Sequence, residues 1–441
     1  MGETWFPPRE RAGGERRSCR YSSGTFPVLK ALLALASSAL ALAGATPKAT
    51  PRFHVLAHVD PGGGYAGDVV GERHYAYLSS HTGRYCPAQG VRVYDLSNPR
   101  RPQHIATFAD RVSQPELAHA WTEKTIVRRI KTPGFDGVLA VTSVQACGGA
   151  GAGGFALYDA TQPAQPKLLS VIRTEPRGSH EIWLAAARGH AWVYTAEAVA
   201  EFAMTPEAFG FHIWDVTHPR APIDVGGWSA CRTLHKCTPL NPPPRRDARI
   251  LVHSVITNTA ATRAYLAYWN LGTVILDIAD PRHPRYLGRT TPGQGNVHSD
   301  WLMRRGKILL ETHEIAHGRA TLWDISRPSR PRKLSEVRLA RRLRPGGEYP
   351  NFYGLADSVH DPKAAGRLGY FSWYAQGVAL FDLSNPRRPR YLTRFRPRPD
   401  LDEHGLLCPG SYCTAVWGVF PTSRYVLVSD LNSGLWVLSR P

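Results

Sequence analysis

The sequence predicts an all-β protein, folded as a seven-bladed β-propeller with four strands in each blade. A phrase made of an apolar strand, an aspartate and two prolines recurs six times, as in VRVYDLSNPRRP and VALFDLSNPRRP. The six aspartates lie 47 to 64 residues apart, which is the length of a propeller blade. They are Asp95, Asp159, Asp215, Asp277, Asp324 and Asp382. A truncated seventh copy, GLWVLSRP, ends the chain at Pro441.

Each phrase predicts a strand that runs into a tight turn. The apolar run before the aspartate favours a strand, and the Asp-Leu-Ser-Asn-Pro pattern favours a turn, because Asx side chains bond their own backbone and proline fixes φ. Another apolar strand precedes each copy, as at residues 74–78 and 425–428, and seven such strands occur. With one strand before it and one after the phrase, each blade has strands a, b, c and d from the axis outward.

The N-terminal part of the propeller is predicted to close the ring. The seventh unit lacks its outer strand, because the chain stops after the GLWVLSRP segment. Residues 51–58, PRFHVLAH, resemble the outer-strand segments of the other units. We therefore expect this segment to be strand d of blade seven, which would remove exposed sheet edges. The propeller domain is predicted to span residues 46–441.

The repeated phrase resembles that of the LVIVD-repeat β-propeller family, over essentially all of residues 51–441. This resemblance implies the propeller fold and little about activity, because a fold does not fix a function. The placement of histidines is more distantly similar to that in the selenium-binding protein and methanethiol oxidase propellers. That second resemblance implies a bound copper ion.

The first 45 residues are predicted to be a signal peptide. Basic residues precede the apolar run VLKALLALASSALALAGA, which ends in A-x-A cleavage signals. The mature protein would be exported, either periplasmic or secreted, without stable insertion in a membrane. Six cysteines would remain, and an even number in an exported chain favours disulfides. The expected pairs are Cys231–Cys237, Cys408–Cys413 and Cys86–Cys147, with metal binding by the CRTLHKC and CPGSYC segments as the alternative.

The net charge of +19 does not indicate a nucleic-acid-binding protein. Much of the arginine lies in the turns between strands c and d, which are spread around the whole ring. A dispersed basic belt on an exported protein favours solubility or contact with an anionic cell envelope over sequence readout. We expect no nucleic-acid partner and a monomeric protein.

Five histidines are predicted to meet at the mouth of the central channel. When the repeats are aligned, blades two to six carry a histidine just before or at the start of strand a, the innermost strand. These residues are His119, His180, His253, His298 and His360. In blades one and seven the equivalent segments, residues 65–68 and 414–417, have no histidine, which predicts an open side in the ring. The tryptophans of strand a are interpreted as packing between blades; they are Trp121, Trp183, Trp301 and Trp417.

Imidazoles that converge in an exported protein indicate a transition-metal site, with copper favoured over zinc. The loops between strands b and c lie on the same face, where Glu197, His313 and Glu314 are candidate acid/base residues. An acid lies next to three of the histidines, and we expect these acids either to orient the imidazoles or to point into the blades. The acids are Glu181, Asp300 and Asp361.

Two function classes follow from this pattern. The first is an exported metal-dependent oxidoreductase. The second is a non-catalytic propeller scaffold that binds a protein or a glycan. In either case, the loop-rich face formed by the d–a and b–c connections is predicted to bind the small-molecule or protein ligand.

Overall fold

The computed structural model describes residues 51–62, 65–81, 89–147, 153–174, 178–198, 210–238, 249–339, 357–403, 405, 408 and 410–441. Within these residues the chain forms seven antiparallel blades of four strands each, one of which has a short fifth strand in its sheet, and has almost no helix. The prediction of an all-β, seven-bladed propeller is confirmed. The predicted signal peptide lies outside the described residues.

The first half of the chain supplies one closing strand and three complete blades. Its strands are β1 (Val55–Val59), β2 (Ala66–Glu72), β3 (Tyr75–Ser80), β4 (Val91–Asp95), β5 (Gln103–Phe108), β6 (Ala120–Trp121), β7 (Thr125–Thr132), β8 (Phe135–Ala146), β9 (Gly154–Asp159), β10 (Lys167–Arg173), β11 (Glu181–Ala187), β12 (His190–Ala196), β13 (Phe211–Asp215) and β14 (Ile223–Trp228). A 3-10 helix (Pro115–Leu117) precedes β6, and helix α1 (Ala230–Leu234) follows β14. Blades one to three are β2–β5, β7–β10 and β11–β14.

The second half of the chain supplies the other four blades. Its strands are β15 (Val252–Thr257), β16 (Arg263–Tyr268), β17 (Gly272–Asp277), β18 (Arg285–Arg289), β19 (Val297–Met303), β20 (Ile308–His313), β21 (Ala320–Asp324), β22 (Arg332–Val337), β23 (Pro362–Ala365), β24 (Leu368–Trp373), β25 (Gly377–Asp382), β26 (Arg390–Phe395), β27 (Asp400–Leu401), β28 (Tyr412–Cys413), β29 (Val416–Pro421), β30 (Tyr425–Asp430) and β31 (Gly434–Ser439). Blades four to six are β15–β18, β19–β22 and β23–β26, and β27 and β28 form a separate small hairpin.

The two ends of the propeller are joined within blade seven. Strand β1 pairs antiparallel with β31, so that the blade has the order β29-β30-β31-β1. In this register Ala57 lies opposite Val437, and Val59 lies opposite Leu435. The prediction that the N-terminal segment supplies the outer strand is confirmed.

The repeated aspartate makes the same turn in all six complete copies of the phrase. Its Oδ1 atom accepts a hydrogen bond from the backbone N–H two residues later, over 2.7 to 3.0 Å. Asp95 and Ser97 make the shortest of these bonds. This bond stops strand c and starts the turn into strand d, because it offers the backbone an alternative to the sheet ladder.

The proline of that turn also fixes the spacing between blades. Ser170 on strand d of blade two donates to the carbonyl oxygen of Pro219 in the next blade, over 2.7 Å. At the equivalent place in the next pair of blades, a Cβ on Gly226 would lie 2.4 Å from the oxygen of Pro281. The close approach explains why small residues occupy this position of strand d.

Disulfides connect cysteines in the loops. Cys231 pairs with Cys237, and Cys408 pairs with Cys413, as predicted from their short separation in sequence. Cys147 is also disulfide-bonded, whereas Cys86 lies outside the described residues. Among the residues that the structure describes, no helix has the length and apolar character needed to cross a membrane.

Candidate metal centre

The strand a termini bring four of the five predicted histidines together. His180, His253, His298 and His360 follow one another around the channel, with neighbouring ring centroids 3.9 to 4.5 Å apart. We call these four residues the histidine cluster. All four side chains are buried or nearly so. Repeat alignment therefore identified a real cluster, because equivalent positions of successive blades face one axis.

His119 does not belong to this cluster, and its predicted equivalence to the other histidines is wrong. Its side chain is exposed. The short strand β6 pairs with an extension of β8, through Ala120 and Ala146, before strand a of blade two begins at Thr125. This inserted pairing moves the alignment by four residues, so that Glu123 occupies the place expected for His119.

The predicted open side of the ring is also wrong, because aromatic side chains close it. Trp417 of blade seven lies 4.2 Å from His360 and 4.7 Å from His81, measured between ring centroids. His81, which follows strand b of blade one, lies 4.5 Å from Trp121, and Trp121 lies 5.9 Å from His180. At the strand a position of blade one, a Cβ on Gly67 would lie 2.9 Å from the carbonyl oxygen of Glu123, so this blade has no side chain there. Two of the tryptophans interpreted as inter-blade packing therefore complete the channel lining.

Backbone carbonyl groups orient three imidazoles of the cluster. The Nδ1 atom of His253 lies 3.1 Å from the carbonyl oxygen of His298, and Nδ1 of His298 lies 3.1 Å from that of His360. Nδ1 of His360 lies 2.7 Å from the carbonyl oxygen of Trp417. A carbonyl oxygen only accepts, so each Nδ1 carries the proton and each Nε2 keeps a lone pair. Metal-binding histidines use this arrangement to present Nε2.

Burial keeps the cluster uncharged near neutral pH. It lowers the pKa of His180 to about 4 and holds the pKa values of His253, His298 and His360 well below their ordinary value. The neighbouring imidazoles lower these pKa values further, since protonation of one disfavours protonation of the next. Neutral imidazole is the form that binds a metal ion.

Glu314 adds a carboxylate to the histidine cluster. Its Oε2 atom lies 3.6 Å from Nε2 of His298, and ligand atoms of His253, His298 and Glu314 all lie within 4.8 Å of one another. The hydroxyl of Tyr374 donates to Oε1 of Glu314 and fixes the carboxylate. Burial raises the pKa of Glu314 to about 7, although this hydrogen bond and the charge of Arg249 oppose the rise.

The other two predicted acid/base residues lie outside this group. Glu197 is buried, and its Oε1 atom accepts a hydrogen bond from Thr195 over 3.1 Å. The His313 side chain bonds within blade five. Its Nδ1 atom donates to the carbonyl oxygen of Gly295 over 2.8 Å, and its Nε2 atom lies 3.4 Å from Glu311. Glu314 follows the end of β20 and reaches His298, whereas the His313 side chain contacts Glu311 within blade five.

His180 contacts His253 at the edge of the cluster. Its Nε2 atom lies 2.9 Å from Nε2 of His253. Nδ1 of His180 lies 2.9 Å from Oε1 of Gln145, an amide oxygen that only accepts, and 3.1 Å from Glu123, so Nδ1 is the donor. The neutral ring then has its lone pair on Nε2, as His253 does, and the two bare nitrogens face each other. Burial raises the pKa of Glu123 well above its usual range.

A buried ammonium group lies below the cluster on the channel axis. Nζ of Lys124 is 2.8 Å from Asp68, 3.3 Å from Glu181 and 3.7 Å from Asp361, which belong to blades one, three and six. Asp361 also pairs with Lys363. We call these five residues the ionic layer. Of the three acids next to the histidines, Glu181 and Asp361 thus contact Lys124, whereas Asp300 accepts a hydrogen bond from the Thr273 hydroxyl over 2.9 Å.

The donor set fits a transition metal. A tetrahedral site with bonds of about 2.0–2.2 Å places its ligand atoms about 3.3–3.6 Å apart, close to the separation of His298 Nε2 and Glu314 Oε2. Nε2 of His360 is buried and has no hydrogen-bond partner among the described residues. A second group, Asp402 with Cys408 and Cys413, does not fit, because the two thiols form a disulfide.

Three members of the site have weak sequence signals. Glu123 lies within a run that an alignment on histidine passes over, and Tyr374 lies in a b–c turn outside the repeated phrase. His81 follows strand b directly, so its position on the loop-rich face was predictable but its contact with the channel was not. The backbone carbonyl partners leave no signal in the sequence.

Comparisons with known proteins report little beyond this geometry. No protein-family model matches the chain, and no curated protein matches it. Among solved structures, the chain is similar to the crystal structure of a computationally designed protein named Ika8, with 9% identity and a TM-score of 0.47. That similarity covers 87% of this chain and 99% of the designed one. The description of the fold therefore rests on the seven sheets.

Proposed function

We propose that the protein is an exported LVIVD-type β-propeller that binds a transition metal at the channel mouth and acts as an oxidoreductase. His253, His298 and Glu314 are the proposed ligands, with His360 beside them. The supporting observation is the set of Nδ1–carbonyl bonds, which directs bare Nε2 atoms toward one another and toward Glu314. A structural core would favour apolar side chains at such a place, because buried polar atoms without partners are costly.

Copper is our first choice of metal and zinc the second. Imidazole nitrogen suits both ions, and copper(II) has the highest affinity in the divalent series for such sites. A carboxylate ligand is compatible with either metal. When bound, the metal would supply electron transfer or polarisation of a ligand at an open position. His180 would border the proposed ligands, with its Nε2 atom 2.9 Å from Nε2 of His253.

The test is metal analysis of the purified protein with matched histidine variants. We expect about one equivalent of bound metal in the native chain and in His119→Ala, since His119 is exposed and outside the cluster. His298→Ala and Glu314→Gln should each lower metal affinity by at least tenfold, which is the lower limit for losing even an indirect partner of a metal ligand. Electron paramagnetic resonance would separate copper(II) from zinc.

One outcome would favour the alternative, a non-catalytic scaffold for a protein or glycan. In that case the protein would bind no metal at micromolar concentration, and the His298→Ala variant would differ from the native chain in stability alone. Equal metal loss in His119→Ala and His298→Ala would also contradict the proposed site, because the structure separates these two residues.

A further inference from the structure

The channel contains a second compartment beyond the ionic layer. It is a cavity of about 290 Å³ that opens toward the face opposite the histidine cluster. Residues of the ionic layer, including Lys124 and Asp68, form its floor. The Lys124 ammonium lies on the axis among carboxylates from three blades, so it separates this cavity from the candidate metal centre.

The walls of the cavity are apolar and aromatic. Trp183 and Trp301 meet edge to face, with ring centroids 5.9 Å apart, and Phe420 lines another side. Ile126 and Ile256 fill the positions between them. A cavity of this size with mostly apolar walls suits the body of a small organic molecule.

Acidic residues outnumber basic residues along the cavity, although the chain as a whole has a net charge of +19. Five acids and three bases line it; they are Asp68, Glu72, Glu181, Asp300 and Asp361, with Lys124, Arg128 and Lys363. Asp68 and Asp300 are at least nine-tenths buried, and each has one carboxylate oxygen without a hydrogen-bond partner among the described residues. Buried carboxylate oxygens without partners are costly, so the floor has capacity for a donor.

We propose that this cavity binds a small organic amine, with its ammonium group on the floor carboxylates and its apolar body against Trp183 and Trp301. The carboxylate oxygens without partners on the floor favour a hydrogen-bond donor such as an ammonium group over a carboxylate. The aromatic walls favour an organic cation over a hydrated metal ion, because aromatic side chains supply no metal ligand and a desolvated ammonium gains from aromatic faces. This site is independent of the proposed metal centre.

The experiment is a calorimetric titration of the full propeller with three probes of equal size. Benzylamine is the cationic probe, benzyl alcohol the neutral one and benzoate the anionic one. We expect benzylamine to bind about tenfold or more tightly than benzyl alcohol, as for a hydrogen bond to a charged group, and benzoate to bind no better than the alcohol. Equal affinities, or preference for benzoate, would overturn the proposal.

Two variants should change the affinity in opposite directions. Asp68→Asn removes a floor charge and should weaken benzylamine binding about tenfold, whereas Lys363→Met leaves the floor more acidic and should tighten it severalfold. Asp280→Asn is the matched control, because Asp280 is exposed in a c–d turn and does not line the cavity, so the affinity should be unchanged. Weaker binding in Lys363→Met would contradict the proposal even if Asp68→Asn failed to fold.

Discussion

Replacing Lys124 by methionine tests whether the ionic layer stabilises the ring of blades. The ammonium group contacts three carboxylates at 2.8, 3.3 and 3.7 Å, and the Lys124 side chain is 9% exposed. Burial alone would lower the pKa of Lys124, but Asp68, Glu181 and Asp361 raise it well above its usual value. Methionine keeps most of the side-chain volume and removes the charge. The variant therefore leaves three buried acids without their shared cation.

The expected cost is about 3–5 kcal/mol of unfolding free energy, as for one partner removed from a buried ion pair. The compact unit from Thr50 to Pro441 has roughly 390 residues, and unfolding entropy is about 2.1 cal/mol/K per residue. If the propeller unfolds in one step, the midpoint temperature should fall by about 4–6 °C. The measurement is chemical and thermal denaturation of the variant beside Lys131→Met, whose side chain is 82% exposed.

The loss of unfolding free energy in the Lys124→Met variant should grow with pH. Burial raises the pKa of Glu181 to about 7, and the charge of Lys124 opposes that rise, so the variant should have a still higher pKa at Glu181. A carboxyl group with a raised pKa favours the folded state at low pH and loses this contribution as pH rises through the folded pKa. The deficit should therefore be smallest near pH 5 and largest near pH 8. A variant within 1 kcal/mol of the Lys131→Met control at pH 8 would refute the reasoning.

Two further predictions concern the closing strand and the repeated turn. Removing the chain through Val59 deletes β1 and should expose the edge of β31. Size-exclusion chromatography should then show aggregation, and calorimetry should show a lower midpoint temperature than for a chain that begins at Thr50. A stable truncated monomer would contradict this prediction. Asp382→Ala removes the turn bonds to Ser384 and should cost about 1 kcal/mol, because the exposed ion pair with Arg390 adds little. The Ser384 hydrogen bonds lower the pKa of Asp382 to about 2. The stability difference between the native chain and Asp382→Ala should therefore be complete above pH 4 and vanish as pH falls through 2. Denaturation at several pH values would measure it.

The repeated phrase made the architecture predictable, because the same local chemistry acts in every blade. The Asp–backbone turn after Asp95 recurs after Asp382, and both depend on residues adjacent in sequence. The missing outer strand of blade seven was predictable for a related reason, since a ring with seven copies of strand b needs seven copies of strand d. The turn chemistry of each repeat and the need to close the ring were sufficient to predict the fold.

The site was only partly predictable. Four histidines converge because equivalent positions of strand a share one axis, and this geometry follows from the repeat. The prediction for His119 was wrong because the pairing of β6 with β8 comes before strand a, so Glu123 lies at the position expected for His119. Both Glu314 and His313 were expected on the loop-rich face, but only Glu314, which follows the end of β20, reaches the histidine cluster, because His313 bonds to Gly295 and Glu311 within blade five.

The carbonyl partners of the imidazoles were beyond sequence reasoning. They depend on the distance between neighbouring blades, which side chains such as Ser170 and Gly226 fix at the far edge of the sheets. Similarly, the role of Asp361 depends on Lys124, which approaches from another blade more than 200 positions away. Contacts of this kind carry no periodic pattern.

The pairing of β1 with β31 determines which blade can fold last. The backbone N–H of His54 donates to the hydroxyl of Ser439, across 385 positions of chain. The ribosome delivers β1 before β31, so the first strand waits unpaired while six blades assemble beside it. The final blade therefore forms only after β31 has emerged, and chaperone protection matters most during this interval.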